Sequence, residues 1–190
     1  MDISPSEIGN SSEGDSIVSE ILENKSVGFI DSGQDSSVYR RGSSVYKIYD
    51  LNKKNPSVRQ LTDGIKFYVQ VVNDARRLAE TKKYSFTFEN KEYDLQINPV
   101  DRILPSEKHQ KVVSVSPFVD GQRSDQTQLA KDAGFQTFLN RVSIDINDQL
   151  GVAGVNIINY NTMVSENSLI VTDLCAQIPQ LRQFGKRKFS

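Results

Sequence analysis

The sequence predicts an α+β fold in two lobes, an antiparallel sheet lobe with one long helix followed by a short helical lobe. Three observations predict it. Residues 27–49 alternate apolar and polar side chains in short runs separated by turn residues. Residues 56–82 place Val58, Leu61, Ile65, Tyr68, Val69, Val72, Ala75 and Ala79 at three- and four-residue steps. Beyond residue 122 the character becomes helical, with Phe135, Phe138, Leu139, Val142 and Ile146 forming one stripe.

In chain order, residues 1–16 are rich in serine, glycine and acids and read as a disordered leader. Ile17, Val18, Ile21 and Leu22 have helical spacing and suggest a short helix. Residues 27–30, 38–40 and 44–49 are the strands of a meander, with turns at 31–37 and 41–43. Asn55-Pro56 supplies an N-cap and a first-turn proline for the helix over 56–82, which Gly64 weakens. Residues 84–88 and 93–97 alternate around a turn at 89–92, and 100–104 extends the sheet. Residues 111–116 form a strand that Pro117 stops, closing a sheet-rich lobe over 17–116. The second lobe, 117–190, opens on a connector at 118–122. Helices follow over 126–132 and 135–150, the latter stopped by Gly151. A polar loop (154–160) then leads to strands at 162–164 and 168–172, turning at Glu166-Asn167 and ending at Asp173. No internal repeat is present.

Composition narrows the function classes. Charge is balanced, with 23 basic and 24 acidic residues, so no nucleic-acid footprint stands out. The tail Lys186-Arg187-Lys188 is the only tight basic cluster. One cysteine, Cys175, permits no disulfide within the chain, which fits a reducing, cytoplasmic setting. One cysteine and one histidine cannot build the usual zinc sets. A hydrolase triad would have to run through His109, which lies in the polar stretch 105–111 and reads as a loop residue. No apolar run nears the roughly 20 residues of a membrane span, and the acidic N-terminus is unlike a signal peptide.

Four segments carry chemistry. The first is Gly33-Gln34-Asp35-Ser36-Ser37-Val38-Tyr39, where small residues let backbone N–H groups approach phosphate. The second is Val45-Tyr46-Lys47-Ile48-Tyr49, which sets Lys47 on one sheet face with Val45 and Tyr49. Such a lysine either guards an edge strand or is kept for a ligand. The third is the connector Ser116-Pro117-Phe118-Val119-Asp120-Gly121. The fourth is the loop from Gly154 to Asn161 together with Ser168 to Cys175. In this order the segments resemble the protein-kinase-like fold, over roughly residues 26–178.

The resemblance implies ATP and Mg2+ as cofactors. It casts the Gly33 loop with Ser36 and Ser37 as the phosphate cover, and Lys47 as the lysine on the nucleotide's phosphates. Phe118 and Val119 would form the hinge beside the base. Asn161 and Asp173 would be the metal ligands, with Lys47 and Asp173 as the catalytic pair. Lys47 would be held by a helix acid, for which Glu80, near the apolar stripe, and Asp74, on the far side, are the available residues.

Departures are equally plain. Asn156 stands where the family has its catalytic aspartate, and Asn159 competes with Asn161 for the metal position. Cys175 replaces the glycine after the aspartate. Only 17 residues follow Asp173, too few for the helices that bind a peptide substrate. The expectation is a kinase-like phosphotransferase of unknown acceptor, or a pseudokinase-like module that binds a protein partner. A soluble α+β interaction domain is the third reading. Neither nucleic acid nor membrane is expected as a partner.

Overall fold

The computed structural model describes residues 8–23, 27–32, 36–50 and 57–174. Residues 1–7 of the leader, Gly33, the Asn55-Pro56 helix start, Cys175 and the basic tail lie outside them. The chain runs α1 (Ser11–Glu23), β1 (Gly28–Ser32), β2 (Ser36–Arg41), β3 (Ser44–Asp50), α2 (Val58–Lys82), β4 (Ser85–Phe88) and β5 (Lys91–Ile97). It continues through β6 (Arg102–Ser106), β7 (Lys111–Pro117), the two-residue β8 (Gln122–Arg123), α3 (Ala133–Leu150), β9 (Thr162–Ser165) and β10 (Ser168–Val171). The class is α+β, as the sequence predicts. Among the described residues, no helix is long and apolar enough to cross a membrane.

Contacts divide the chain into two units, and the division is not the one expected. The first unit joins residues up to Gln70 with Val100–Phe118. The second joins Val71–Pro99 with Val119–Gln177.

The first unit's sheet has the order β1-β2-β3-β7-β6 and is antiparallel throughout. The expected meander is present, and β7 pairs with its third strand. Alternation along β3 sends Tyr46 and Ile48 to the face where Val18, Ile21, Leu104 and Val113 form the core. Lys47 and Tyr49 take the opposite face. On that side α2 buries Val58, Leu61, Ile65, Tyr68 and Val69, the expected stripe. Ser57 caps α2: its Oγ accepts from Gln60 N–H (3.2 Å) and its carbonyl from Leu61 N–H (3.1 Å).

The leader requires a correction. Helix α1 starts at Ser11 rather than Ile17, so residues 11–16 are helical. Asn10 Oδ1 accepts from Glu13 N–H (2.9 Å) and from Ser12 Oγ (2.6 Å), capping the first turn. The helix then docks on β6 by polar contacts that hydropathy cannot reveal. Arg102 donates to Glu13 (2.6 Å) and Ser106 Oγ to Asp15 (2.7 Å).

The second unit corrects the expected helical lobe, because it is built on a sheet. Its order is β4-β5-β10-β9-β8, with β5 and β10 parallel and the other pairs antiparallel. The 85–97 hairpin therefore belongs here and does not extend the first sheet. Burial of Leu95, Ile97, Leu169 and Val171, each under 5% exposed, holds β5 against β10. The hairpin turn is tighter than expected: Glu89 (φ 49°) and Asn90 (φ 62°) alone connect the strands, as in a type I′ turn. Residues 126–132 form no α-helix, and the chain there makes 3₁₀ turns at Ser124–Gln126 and Gln128–Lys131. The next helix follows the sequence closely. In α3, Asp132 Oδ1 accepts from Phe135 N–H (2.9 Å), and Gly151 (φ 61°) ends it in the left-handed region. Its stripe of Phe135, Phe138, Leu139, Val142 and Ile146 is buried.

Candidate functional site

In the first unit, Lys47 lies on the middle strand of five, opposite Val38 of β2 and Ser114 of β7. The edge-guard reading of this lysine is therefore overturned, since both flanks of β3 are paired. Its ammonium lies 5.4 Å from the Tyr49 ring centroid and 6.0 Å from that of Tyr68 on α2, within cation–π range. The helix residue beside it is thus a tyrosine. Glu80 lies more than three turns, roughly 18 Å, further along α2, ion-paired to Arg76 at 2.9 Å. Asp74 is paired to Arg77 at 3.1 Å.

Ser36 and Ser37 are the first residues of β2, paired with Tyr49 and Ile48, so both lie within one or two rungs of Lys47. Phe118 follows β7. Its backbone N–H donates to Ser43 O (2.8 Å), and the Arg40 guanidinium covers its ring at 3.5 Å. That amide is already used, which leaves the Phe118 carbonyl as its group for recognition. His109, in the turn between β6 and β7, meets Ser19 of α1 through Nε2 (2.8 Å), as befits a loop residue that anchors a helix.

In the second unit, the loop after α3 is held by that helix's own polar side chains. Asn147 Nδ2 donates to Val155 O (2.8 Å), and Asn147 Oδ1 accepts from Val155 N–H (3.0 Å). Ser143 Oγ accepts from Ile157 N–H (2.9 Å). Val155 and Ile157 are buried at 3% and 0% exposure, so these bonds satisfy backbone groups that water does not reach. Ser124 Oγ donates to Asn159 O (2.5 Å) and Thr162 Oγ1 to Ile158 O (3.0 Å).

This fixed loop brackets Asp173. On one side Thr172 N–H and Oγ1 both donate to Asn161 O (2.8 and 3.1 Å). On the other, Asn156 N–H donates to Leu174 O (2.9 Å). Asn161 and Asp173 thus emerge at the same end of the β9–β10 hairpin, as the order of the sequence led us to expect. The Asn159 carbonyl is turned to Ser124 instead.

An amide oxygen and a carboxylate are hard donors of the kind that fit Mg2+. Among the described residues no group of three or more His, Cys, Asp or Glu could hold a metal ion. A cation here would take its remaining ligands from phosphate and water, as Mg2+ commonly does.

The second unit also contains a cleft of about 500 Å³. Val119 and Ile170 line it with Arg76, Lys83, Asp94 and Gln96, whereas Asn161 and Asp173 do not. Of the residues singled out in the sequence, Glu80 and Val119 line this cleft and the two metal candidates lie elsewhere in the same unit.

Sequence reasoning missed the residues that position the loop. Ser143 and Asn147 sit one turn apart in α3, beside the apolar stripe, and that adjacency was the available signal. It also missed Asp145. The Asp145 carboxylate accepts two bonds from Lys82 Nζ (2.8 and 2.7 Å) and one from the Tyr84 hydroxyl. Lys82 and then Tyr84 hold Asp145 below the usual carboxylate range. Burial and then Asp145 push the Tyr84 hydroxyl well above its ordinary value.

Because the folded carboxylate titrates lower than the unfolded one, its stabilising contribution is complete above about pH 4. The contribution is lost as pH falls through the folded value. Asp125, lowered by Arg123, acts in the same window. Melting temperatures from pH 6 to 2 should therefore fall less steeply in Asp145→Asn than in wild type. Parallel curves would remove Asp145 from the acid limb.

The sequence matches no known protein-family pattern and, at significance, no curated protein.

Proposed function

We propose that the chain is a kinase-like nucleotide-binding protein, an ATP- and Mg2+-dependent phosphotransferase with an acceptor still to be found. The observation that carries this reading is the bracket around Asp173. Two backbone ties hold an asparagine and an aspartate at one hairpin end, on a loop fixed by buried hydrogen bonds. Phosphoryl transfer depends mainly on positioning and charge neutralisation, so a pre-organised pair of oxygen ligands suits it. Asn161 and Asp173 would hold Mg2+, which supplies neutralisation of phosphate charge when bound. Lys47, on a strand paired on both sides, would contact the phosphates. The segment of Gly33, Ser36 and Ser37 would cover them, and Phe118 and Val119 would meet the base.

A second reading is favoured by Asn156. An amide cannot take a proton from an acceptor hydroxyl as a carboxylate can. A pseudokinase-like module that binds a protein partner without transferring phosphate accounts for that residue.

Thermal melting with and without Mg2+-ATP tests both readings on wild type, Lys47→Ala and Asp173→Asn. Ligand at 100 times its dissociation constant should add about 2.7 kcal/mol to wild type, a shift of several degrees. Shifts are compared within each variant, so that any change in baseline stability drops out. A metal-dependent shift lost in both variants supports the nucleotide site. ADP release would then distinguish the enzyme from the pseudokinase. No shift at millimolar ATP would sink the enzyme reading and leave the partner-binding module as the better account.

A further inference from the structure

Among the described residues β4 is the outermost strand of its sheet, and its register decides which backbone groups look outward. The two-residue turn makes Phe88 and Lys91 a hydrogen-bonded pair. Leu95 N–H donates to Tyr84 O (2.8 Å), which places the bonding rungs at Tyr84, Phe86 and Phe88. The N–H and C=O groups of Ser85 and Thr87 therefore point away from β5, along the free edge.

Beside that edge is a cleft of about 330 Å³. β4 supplies one wall. Gly134, Thr137, Phe138 and Arg141 of α3 supply the other, spaced so that all four share one helix face. The Phe86 ring packs 5.3 Å from Phe135 and 5.4 Å from Phe138, giving an apolar floor. Arg141 is exposed, its guanidinium 5.9 Å from the Phe138 ring. Among the described residues no carboxylate is ion-paired to it.

We propose that this groove docks an extended segment of a partner protein, added to β4 as a further strand. One apolar side chain would rest over Phe86 and one acidic side chain would meet Arg141. In strand addition the main chain supplies affinity, and pockets for alternate side chains supply specificity. All three elements are present: outward backbone groups, an apolar floor and a cation at the rim. A second copy of this chain suits the groove less well, because the Ser85-Phe86-Thr87-Phe88 strand it would bring has no carboxylate for Arg141. The proposal does not depend on nucleotide binding.

The test is a display library of random octapeptides, panned against the full chain and against Arg141→Glu. Enriched peptides are then synthesised and titrated by fluorescence anisotropy. Wild type should select an apolar residue with Asp or Glu two positions away, since alternate residues share a strand face. Binding should weaken about tenfold or more in Arg141→Glu. N-methylation should abolish binding at alternate peptide nitrogens only, the period of a paired strand.

Failure to enrich any motif would overturn the proposal, as would affinity unchanged in Arg141→Glu. N-methylation tolerated at every position would also overturn it. Sedimentation provides the remaining arm. A concentration-dependent dimer abolished by Thr87→Pro would assign the edge to a second copy and overturn the acidic partner strand.

Discussion

Gly14→Ala is expected to destabilise the first unit by about 2 kcal/mol, although alanine is the better helix former by about 1 kcal/mol. The two effects have opposite signs, and the packing decides between them. A Cβ on Gly14 would fall against the Pro105 carbonyl oxygen, 2.7 Å from Pro105 C and 3.3 Å from Leu104 C. These are backbone atoms of β6, held in its ladder with β7, and they cannot rotate aside. Helix α1 would have to lift, drawing Val18 and Ile21 out of the core they share with Ile48 and Leu104. The Glu13–Arg102 and Asp15–Ser106 contacts would lengthen with it.

Gly42→Ala is the matched control. Gly42 has φ 58° and nothing within 4 Å of its added carbon, so that change should cost only the left-handed penalty of about 1 kcal/mol. Urea melts of both variants check the comparison. A stabilised Gly14→Ala would mean that α1 is not seated on β6.

What could be read from the sequence, and what could not, follows the range of the interactions. The meander, α2 and α3 were legible because periods of two and about 3.6 are written in neighbouring residues. The capping of α3 by Gly151 was legible for the same reason. Hairpin 85–97 was legible as a hairpin, but its sheet was not. Its partner, β10, is more than 70 residues away, and alternation says nothing of which sheet a strand joins. The first half of α1, residues 11–16, reads in the sequence as part of a disordered leader because it is mostly serine, glycine and acid, whereas its second half carries helical spacing. The contacts that order it, Glu13 to Arg102 and Asp15 to Ser106, span about 90 residues.

The candidate site divides in the same way. Asn161 and Asp173 could be found from order along the chain, and a hairpin brings them to one end. Lys47 could be found as a charge on a sheet face, but its central position depended on β7 inserting beside β3. Tyr68 in place of a helix acid could not be foreseen, because an aromatic within an apolar stripe looks like core and nothing more. Ser143 and Asn147 were passed over since polar residues in an amphipathic helix usually face solvent.

Asn147→Ala should be among the most damaging single changes in the second unit, costing about 3 kcal/mol. Its side chain satisfies both the N–H and the C=O of Val155, a residue that is 3% exposed. Removing it leaves two buried backbone groups without that partner, each penalised by about 1–3 kcal/mol. Asn147→Asp keeps the acceptor for Val155 N–H but sets a carboxylate oxygen against the Val155 and Ser143 carbonyls that Asn147 Nδ2 now serves, so its cost should be at least that of alanine. Ser143→Ala, which removes the acceptor for Ile157 N–H, should act on the same loop, and with Asn147→Ala its effect should be non-additive. Under the proposed function, both variants should also shrink the Mg2+-ATP melting shift, since a loosened loop misplaces Asn161 relative to Asp173. Denaturant melts measure the first effect and ligand-dependent melts the second. An Asn147→Ala protein that is destabilised but keeps the full ligand shift would separate the helix latch from the nucleotide site, leaving Asn147 a purely structural residue.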